Sequence, residues 1–279
     1  MKLLRNGKVK DIYQLENGNI LFHFSDRVSA YDIKMITPIP RKGEVLCKFA
    51  EFWFESINTK HHMIKRQDSD KMIVRYLHMI PLECIVRGYF YGSLVDRYIK
   101  KDLNILLPID FKPLLAAKLP QPVFDPTTKS ELHDTPIPIE QILSSHLLSI
   151  KEFDYLKKTS ISLYKKMSEI ADKGGFIMAD VKFEFGRDPS TGEILLADSL
   201  GPDEFRLWLK SDYVAGKAQD SYDKQLLRDW LIKIGFKDLL DEYSKEGRKP
   251  YPPTISEQIV KELSNRYIHA YEKITGKKL

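Results

Sequence analysis

The sequence predicts an α+β fold with a smaller, β-rich N-terminal lobe. Alternating apolar and polar residues, which are typical of strands, dominate the first part of the chain. Long stretches with helical spacing dominate the last part, which favours segregated strands and helices over an alternating α/β order. With 279 residues, 43% of them hydrophobic and 30% charged, the chain can bury its core as one large domain or as two lobes.

The N-terminal part has the pattern of β structure interrupted by one helix. Strands are predicted at Lys8–Tyr13 and Ile20–Phe24, and the Asn17-Gly18 pair between them favours a tight hairpin turn. Leu46–Ile57 is rich in aromatic residues and predicts an amphipathic helix. The other predicted elements of this part are two strands and the segment that joins them, namely Met72–Tyr76, Leu82–Arg87 and 78–81.

The second half of the chain is predicted to be mainly helical. The segment Leu107–Pro138 is rich in proline and lacks periodicity, and an irregular stretch of this length is typical of a functional loop. Lys151–Lys173 predicts a long amphipathic helix that ends at the Gly174-Gly175 pair. Two further helices are predicted near Asp223–Ile234 and, after a proline-rich break, over Ile255–Thr275.

The most informative stretch is a predicted hairpin with a charged face. Asp180, Lys182 and Glu184 alternate with apolar residues, and a turn at 186–192 and a return strand lead to Asp198. Mg²⁺ bound with a nucleotide takes one or two carboxylates plus phosphate oxygens. The pattern therefore predicts a metal–phosphate site, the alternative being a solvated strand face with a surface ion pair.

The spacing of this hairpin also predicts which acid faces Asp198. With the turn centred near Pro189, Asp180 lies opposite Asp198, and Glu184 lies roughly 13 Å further along the strand at about 3.3 Å per residue. Spacing alone therefore favours Asp180 as the partner of Asp198.

The segment Gly7–Lys10 opens the first predicted strand and suits a phosphate tail. Gly7 allows the backbone to approach a phosphate closely, and Lys8 and Lys10 fall on one strand face. The segment lacks the spacing of a Walker A loop. An exposed basic strand is the alternative interpretation.

Arg87 and Ser93 flank a glycine-containing turn between a predicted strand and a helix from Leu94. An arginine can bind a phosphate through two parallel hydrogen bonds, and a helix N-terminus favours an anion, so this turn is a candidate anion site. A turn whose glycines serve only its geometry is the alternative. Arg206 is a second candidate clamp for a phosphate or carboxylate, whereas Trp208 is expected in the core.

The polar loop Asp125–Asp134 has few apolar residues that would anchor it in a core. Lys129 and Asp134 are candidates to recognise a zwitterion or a dicarboxylate. His133 stands alone in this loop, and an incidental role is expected for it.

Composition narrows the classes of function. The net charge is +5 and the dispersed basic residues form no patch or stripe, so an anionic small substrate is favoured and a nucleic-acid partner is not. Cys47 and Cys84 lack metal-ligand spacing and are expected to be buried and reduced, as in a cytoplasmic protein. No signal peptide and no membrane-length apolar run are evident.

Taken together, seven ordered segments resemble the SAICAR synthetase family (phosphoribosylaminoimidazole-succinocarboxamide synthases). The resemblance runs from about residue 5 to about residue 230, and it rests on the order of the segments as well as on each one. The segments are Gly7–Tyr13, Ser25–Asp32, Pro81–Ser93, Thr127–Asp134, Asp180–Gly186, Asp198–Trp208 and Ser221–Gln225.

The resemblance implies an enzyme of purine biosynthesis. Its reaction would be the ATP-dependent condensation of 5-aminoimidazole-4-carboxyribonucleotide (CAIR) with L-aspartate to SAICAR, ADP and phosphate, with Mg²⁺ as cofactor. The implied fold has two lobes, residues 1–78 for ATP and residues 79–279 for the metal, CAIR and aspartate, and is related to ATP-grasp and kinase folds. The oligomeric state stays open between a monomer and a homodimer.

The resemblance also implies roles for individual residues. Lys182 and Asp180 correspond to residues at the reacting groups, and Glu184 and Asp198 to magnesium ligands. The ATP-binding positions are Gly7, Lys8, Lys10, Met79, Glu184 and Asp198. The CAIR-binding positions are Arg87, Ser93 and Arg206, and the aspartate-binding positions are Lys129 and Asp134.

Three residues depart from the family pattern. Ser199 stands where family members often have Glu, which leaves the number of magnesium ions open, and Glu204-Phe205 stands where they often have Ser-Ser or Gly-Ser.

The base that takes the proton of the aspartate amine is not assigned; Asp134 and the phosphate chemistry of the substrate are the candidates. A small-molecule kinase is the second hypothesis, and a nucleic-acid-binding protein, suggested only by the sequence pI of about 8.9, is the third.

Overall fold

The computed structural model describes residues 1–103, 105, 107, 111–128, 136–145 and 147–279, with the backbone alone at residue 139. The strands in the described residues are β1 (Lys2–Asn6), β2 (Lys10–Gln14), β3 (Ile20–Phe24), β4 (Ser29–Ala30), β5 (Ile33–Lys34), β6 (Met63–Arg66), β7 (Lys71–Val74), β8 (His78–Tyr89), β9 (Lys118–Phe124), β10 (Thr127–Thr128), β11 (Phe176–Arg187), β12 (Ile194–Ala197) and β13 (Phe205–Leu209). The helices are α1 (Lys42–Ser56), α2 (Ser93–Ile99), α3 (Ile139–Ser144), α4 (Ile150–Lys173), α5 (Gln225–Lys233), α6 (Phe236–Lys245) and α7 (Glu257–Thr275). The predicted α+β class is confirmed.

The strands form two larger antiparallel sheets and one two-stranded ribbon. The first sheet has the order β1-β2-β3-β7-β6. In the second, β8 and β11 pair along most of their length, β9 and β10 pair with β8, and β12 and β13 pair with β11. The ribbon consists of β4 and β5. The charged strand of the sequence analysis is therefore at the centre of the second sheet.

One hydrophobic cluster runs through both larger sheets, and α1 is the element that joins them. Phe49 of α1 packs edge-to-face against Phe205 of β13 and Tyr271 of α7. The start of α1 is fixed by Asp26, whose carboxylate accepts the backbone N–H of Gly43 at 2.9 Å. The alternating apolar residues of β11 enter the same cluster, which leaves its charged residues for the opposite face.

Four of the sequence predictions for helices are confirmed within four residues at each end, the first being α1, which was predicted at Leu46–Ile57. Helix α4 begins with a capping box at Ser149 and ends before Gly174, as the glycine pair predicted. Helices α5 and α7 correspond to the two predicted C-terminal helices. No helix in the described part of the chain is long and apolar enough to cross a membrane.

Two sequence predictions of irregular structure are wrong. The segment 78–81 is the first part of β8. The pairing of β8 with β11 shifts its register between Glu184 and Gly186. This irregularity accommodates Pro81, because proline cannot donate a hydrogen bond to a regular ladder. The segment Leu107–Pro138 contains β9 and β10 in its described part. The prolines of β9 are tolerated because this strand pairs only with β8, at the margin of the sheet.

Candidate active site

Two joined cavities lie over the charged face of β11. The larger has a volume of about 670 Å³ and the smaller about 330 Å³. The larger contains the predicted anion-binding arginines and Asp180, and the smaller contains the predicted phosphate segment, Glu184 and Asp198. Five residues line both cavities and form the junction between them: Asp32, Lys182, Asp203, Glu204 and Lys224.

The smaller cavity brings the N-terminal segment onto the end of the hairpin. The Lys10 ammonium contacts the carboxylate of Asp198 and donates to the hydroxyl of Ser199 at 2.9 Å. Lys8 precedes β2, so the prediction that it shares a strand face with Lys10 is wrong, yet its side chain lines the same cavity and pairs with Asp32. Both predicted lysines are therefore at the smaller cavity.

Gly7 is required by the turn that brings these lysines into position. Its N–H donates to the carbonyl oxygen of Lys10 at 3.0 Å, and a Cβ at Gly7 would lie 2.5 Å from that oxygen. A side chain at this position would force the β1–β2 turn apart.

The register of the hairpin corrects the predicted partner of Asp198. Glu184 pairs with Ala197 across the two strands, so Asp198 follows directly after the partner of Glu184. Asp180 instead lies opposite Arg87 of β8 and near Arg206 of β13. The expectations that Asp180 faces Asp198 and that Glu184 lies far from it are therefore wrong, because the turn is centred later in the sequence than Pro189.

Lys182 is held between two carboxylates at the junction. Its ammonium lies 2.7 Å from Glu83 and 3.1 Å from Glu184. Burial disfavours the ammonium, but the fields of Glu184 and Glu83 outweigh burial and hold the pKa of Lys182 well above its usual value. Lys182 is thus a persistently charged cation that lines both cavities.

Asp198 is held in a left-handed backbone conformation, with φ of 60°. Such a conformation costs free energy in a residue other than glycine, so neighbouring contacts must maintain it. The buried ring of His62 supplies one contact, because its Nε2 donates to the Asp198 carbonyl oxygen at 2.9 Å. Burial lowers the pKa of His62 to about 4, which keeps the ring neutral.

In the larger cavity, Arg87 is oriented by two side chains. Its guanidinium contacts the buried carboxylate of Asp125 and donates to the hydroxyl of Ser93 at 3.0 Å. Arg97 of α2 contacts the same oxygen of Asp125, so two guanidinium groups share one carboxylate. Together, Arg87, Arg97 and Asp125 keep a net positive charge beside the cavity, which suits the binding of an anion.

Arg206 lies on the other side of the larger cavity and is also anchored. Its Nε donates to Asp180 at 3.1 Å and its Nη1 to Gln225 at 3.2 Å, while its guanidinium stacks over Tyr91 at 5.0 Å from the ring centroid. A Cβ on Gly92 would lie 3.1 Å from Nη2 of Arg206, so glycine leaves room for this side chain. The prediction that Trp208 belongs to the core is confirmed.

A buried cluster of three charged residues, Lys42, Asp203 and Lys224, lies at the junction. The Asp203 carboxylate lies 2.8 Å from the Lys42 ammonium and 3.2 Å from that of Lys224. Burial raises the pKa of Asp203, but the two lysines outweigh burial and lower it to about 2. This cluster connects α1 and the segment before α5 to the turn that carries Glu204.

The acids of the smaller cavity suit a divalent cation that arrives with a phosphate. Glu184 and Asp198 are hard oxygen donors at neighbouring positions of the hairpin, and each is near a lysine. In the described part of the chain, no three His, Cys, Asp or Glu side chains form a group that could hold a metal ion by themselves. The donor set therefore fits a cation that takes most of its ligands from phosphate oxygens and water.

Among the described residues, one predicted site residue lines neither cavity, and three other predicted residues are not described. Lys129, Asp134 and His133 lie outside the described residues. Met79 lies near the start of β8, is 43% exposed and is not among the residues that line the two cavities.

The sequence analysis missed several residues that the fold brings to the site. Glu83 is the one with a readable signal, because it alternates with Ile85 and Arg87 on one face of β8. The others come from distant segments, and no local pattern marks them: Lys42, Asp125, Asp203, Glu204 and Lys224.

Comparison with known proteins gives one consistent family. The family model described as SAICAR synthetase matches residues 3–242. The chain is 50% identical over 279 residues to a phosphoribosylaminoimidazole-succinocarboxamide synthase of Nitrosopumilus maritimus, with 100% of both chains covered. It is 38% identical to the enzyme of that name from Candida maltosa, covering 99% of this chain and 95% of the relative.

A solved structure gives the same result for the fold. The SAICAR synthase from Saccharomyces cerevisiae complexed with SAICAR superimposes with a TM-score of 0.84 at 33% identity. The match covers 100% of this chain and 96% of that chain. Sequence and fold therefore agree over the length of the chain.

Proposed function

The chain belongs to the SAICAR synthetase family, and we propose that its two joined cavities carry out the family's reaction with the residues described above. The enzyme is an ATP-dependent ligase that condenses CAIR with L-aspartate to SAICAR, ADP and phosphate in purine biosynthesis. The single observation that carries the assignment of the cavities is their meeting at Lys182. One cavity is rich in lysine–carboxylate pairs and the other in anchored arginines.

In this proposal the smaller cavity holds the phosphates of ATP. Lys8 and Lys10 neutralise phosphate charge, and Gly7 keeps the turn close to the nucleotide. Glu184 and Asp198 would hold Mg²⁺, which would screen the phosphates and polarise the transferred group. Because Lys10 and Lys182 contact these two acids, their ammonium groups are close enough to move onto phosphate oxygens.

The larger cavity holds CAIR. Arg87, Ser93 and Arg206 bind its phosphate, since two guanidinium groups fixed by Asp125 and Asp180 match the charge of a phosphate dianion. The CAIR carboxylate then points toward the junction, where Lys182 is available to neutralise it.

The reaction at the junction proceeds in two steps. A CAIR carboxylate oxygen attacks the γ-phosphorus of ATP, the bond to the β-phosphate oxygen breaks, and ADP leaves. The aspartate amine then attacks the carbonyl carbon, and the C–O bond to phosphate breaks as the C–N bond forms. Lys182 stabilises the charge of the transferring group, a role that depends on its position and positive charge.

Several parts of the proposal rest on the family resemblance. These are the contact of Met79 with adenine, the recognition of aspartate by Lys129 and Asp134, and a role for Asp180 at the reacting groups. The division into lobes at 1–78 and 79–279 and the kinship with ATP-grasp and kinase folds belong here too. A homodimer is the alternative to a monomer, and light scattering distinguishes them. The two free, buried cysteines support a cytoplasmic location.

The direct test uses purified protein with Mg²⁺ and measures phosphate and SAICAR. We expect phosphate release from ATP only when CAIR and L-aspartate are both present, with one SAICAR formed per phosphate. A phosphorylated product formed without aspartate would favour the small-molecule kinase. Absence of SAICAR under these conditions would reject the proposed function.

A further inference from the structure

Glu204 has an unusual position in the site. It lies in the turn between β12 and β13 and is one of the residues that line both cavities. Its Oε2 accepts the backbone N–H of Gly201 at 2.9 Å. Among the described residues, its other carboxylate oxygen, Oε1, has no hydrogen-bond partner.

The other two acids of the junction are neutralised, and Glu204 is not. Asp32 pairs with Lys8, and Asp203 pairs with Lys42 and Lys224. No lysine or arginine in the described part of the chain lies within ion-pair distance of Glu204. A carboxyl group lining a cavity without a cationic partner is suited to receive a cation or a proton from a ligand.

The backbone keeps Glu204 beside the reacting groups. Its carbonyl oxygen accepts the N–H of Lys182 at 2.8 Å, and its own N–H donates to Gly201 at 2.9 Å. The preceding residue, Asp203, is fixed by its buried lysine partners. The turn therefore holds Glu204 next to the strand that carries Lys182.

The charges around Glu204 adjust its affinity for a proton. Burial and the carboxylates of Asp203 and Asp198 raise its pKa to about 8, and the lysines at positions 10 and 182 oppose this. Lys224 and Asp32 are the remaining charged residues of the junction. A base is most effective when its pKa lies near the working pH, so these surroundings suit proton transfer near neutrality.

We propose that Glu204 is the catalytic base that accepts a proton from the attacking amine of L-aspartate. This inference rests on the proposed function. The Glu204 carboxylate takes one proton from the ammonium, giving a neutral amine and a carboxylic acid. The amine lone pair forms the C–N bond while the C–O electrons leave with phosphate, and the second N–H proton passes to the departing phosphate.

The other charged groups near the junction are less suited to this role. The carboxylates of Asp180, Glu184 and Asp203 are already in ion pairs with cationic side chains. Lys182 is a persistent ammonium and has no lone pair to accept a proton. Of the three acids that line both cavities, Asp32, Asp203 and Glu204, Glu204 is the one without a cationic side-chain partner among the described residues.

The test compares two nucleophiles in a Glu204→Gln variant. L-Aspartate reacts as an ammonium that must lose a proton, whereas hydroxylamine is unprotonated at neutral pH and needs no base. We expect the variant to lose about 10²-fold or more in kcat with aspartate. With CAIR, ATP and hydroxylamine it should form hydroxamate and ADP at a rate within about threefold of the unmodified enzyme, since the variant leaves phosphoryl transfer intact.

Controls separate this role from a structural one. Glu193→Gln changes a carboxyl group on the outer part of the hairpin, paired with Lys60, and should leave both reactions unchanged. Glu204→Ala, measured in parallel, should show the same split between nucleophiles and replaces Glu204→Gln if that variant does not fold. The rise of kcat/KM for aspartate near pH 8 should be present in the unmodified enzyme and absent in both Glu204 variants.

Each outcome decides between the hypotheses. Equal losses with aspartate and hydroxylamine, or no loss with either, would overturn the assignment of Glu204 as the base. If the unmodified enzyme releases phosphate and forms no SAICAR, the proposed function itself fails, and the inference fails with it.

Discussion

The two cavities neutralise charge in different ways. In the smaller cavity, lysine ammonium groups contact the acids Asp198 and Glu184. In the larger cavity, arginine guanidinium groups are anchored by Asp125 and Asp180. A lysine is a point charge on a flexible chain, whereas an arginine presents a rigid, planar set of donors. The comparison indicates an exchangeable charge arrangement in one cavity and a fixed one in the other.

This difference matches what each ligand demands. Under the proposed function, a nucleotide would bring its own cation, so the acids of the smaller cavity would have to release a lysine and accept Mg²⁺. The phosphate of CAIR would not be transformed and would need only stable recognition, which anchored arginines are suited to supply. Lys182 lies where the two arrangements meet, because it lines both cavities.

The largest expected effect comes from removing an exchangeable acid. Asp198→Asn should lower kcat for SAICAR formation by about a hundredfold or more, because one charge that holds the cation is lost. The exposed control Asp68→Asn should leave kcat unchanged. Near-normal turnover of the Asp198 variant would contradict its place in the smaller cavity.

The carboxyl group of Glu204, at the junction of the cavities, should make the stability of the folded protein depend on pH. The pKa of Glu204 is raised from 4.5 to about 8 in the folded protein, so its contribution to stability is complete below pH 4.5 and is lost as pH rises to about 8. Glu204→Gln removes this loss. Its Tm should exceed that of the unmodified protein by on the order of a few degrees at pH 8 and by less at pH 5. Parallel Tm curves across this range would contradict the shifted pKa.

The fixed cavity should be sensitive to the shape of its cation as well as to its charge. Arg87→Lys keeps the charge but loses the planar donors, so the KM for CAIR should rise roughly tenfold while the KM for ATP stays unchanged. Arg66→Lys, at a surface arginine paired with Glu51, is the matched control in steady-state assays. Equal increases in both KM values would remove the distinction between the cavities.

The smallest effect is expected from the exposed lysine of the smaller cavity. Lys8→Ala removes a solvent-exposed partner of Asp32 and should raise the KM for ATP by roughly two- to threefold, because exposed ion pairs contribute little free energy. The effect should shrink further in high salt, where exposed charges are screened. A loss as large as that of Asp198→Asn would place Lys8 at the reacting phosphate.

Local patterns in the sequence predicted a large part of the site. The alternation of Asp180, Lys182 and Glu184 identified the charged face of β11, and Arg87 and Arg206, predicted as candidate anion ligands, both line the larger cavity. These predictions succeeded because side-chain direction in a strand follows from a period of two residues. Helix α4 was predictable for a similar reason, since its spacing and its terminal glycines are local signals.

Contacts between distant segments could not be predicted from the sequence in this way. Lys42 and Asp203 are 161 residues apart, and only the packing of α1 brings them together. The register of the hairpin was predicted wrongly because of the local structure of its turn. The Asp188 carboxylate accepts the N–H of Ser190 at 2.8 Å, and the Gly192 N–H donates to the Asp188 carbonyl oxygen at 2.8 Å. This turn shifts the centre of the hairpin past Pro189 and brings Glu184 beside Asp198.

The central claim is that the CAIR carboxylate is phosphorylated where the two cavities meet, and isotope transfer tests it most directly. CAIR labelled with ¹⁸O in its carboxylate is converted with ATP and L-aspartate, and the released phosphate is analysed by mass spectrometry. We expect one ¹⁸O atom in each phosphate, because the carboxylate oxygen that attacks phosphorus leaves with it. Unlabelled phosphate accompanied by normal SAICAR formation would contradict the account.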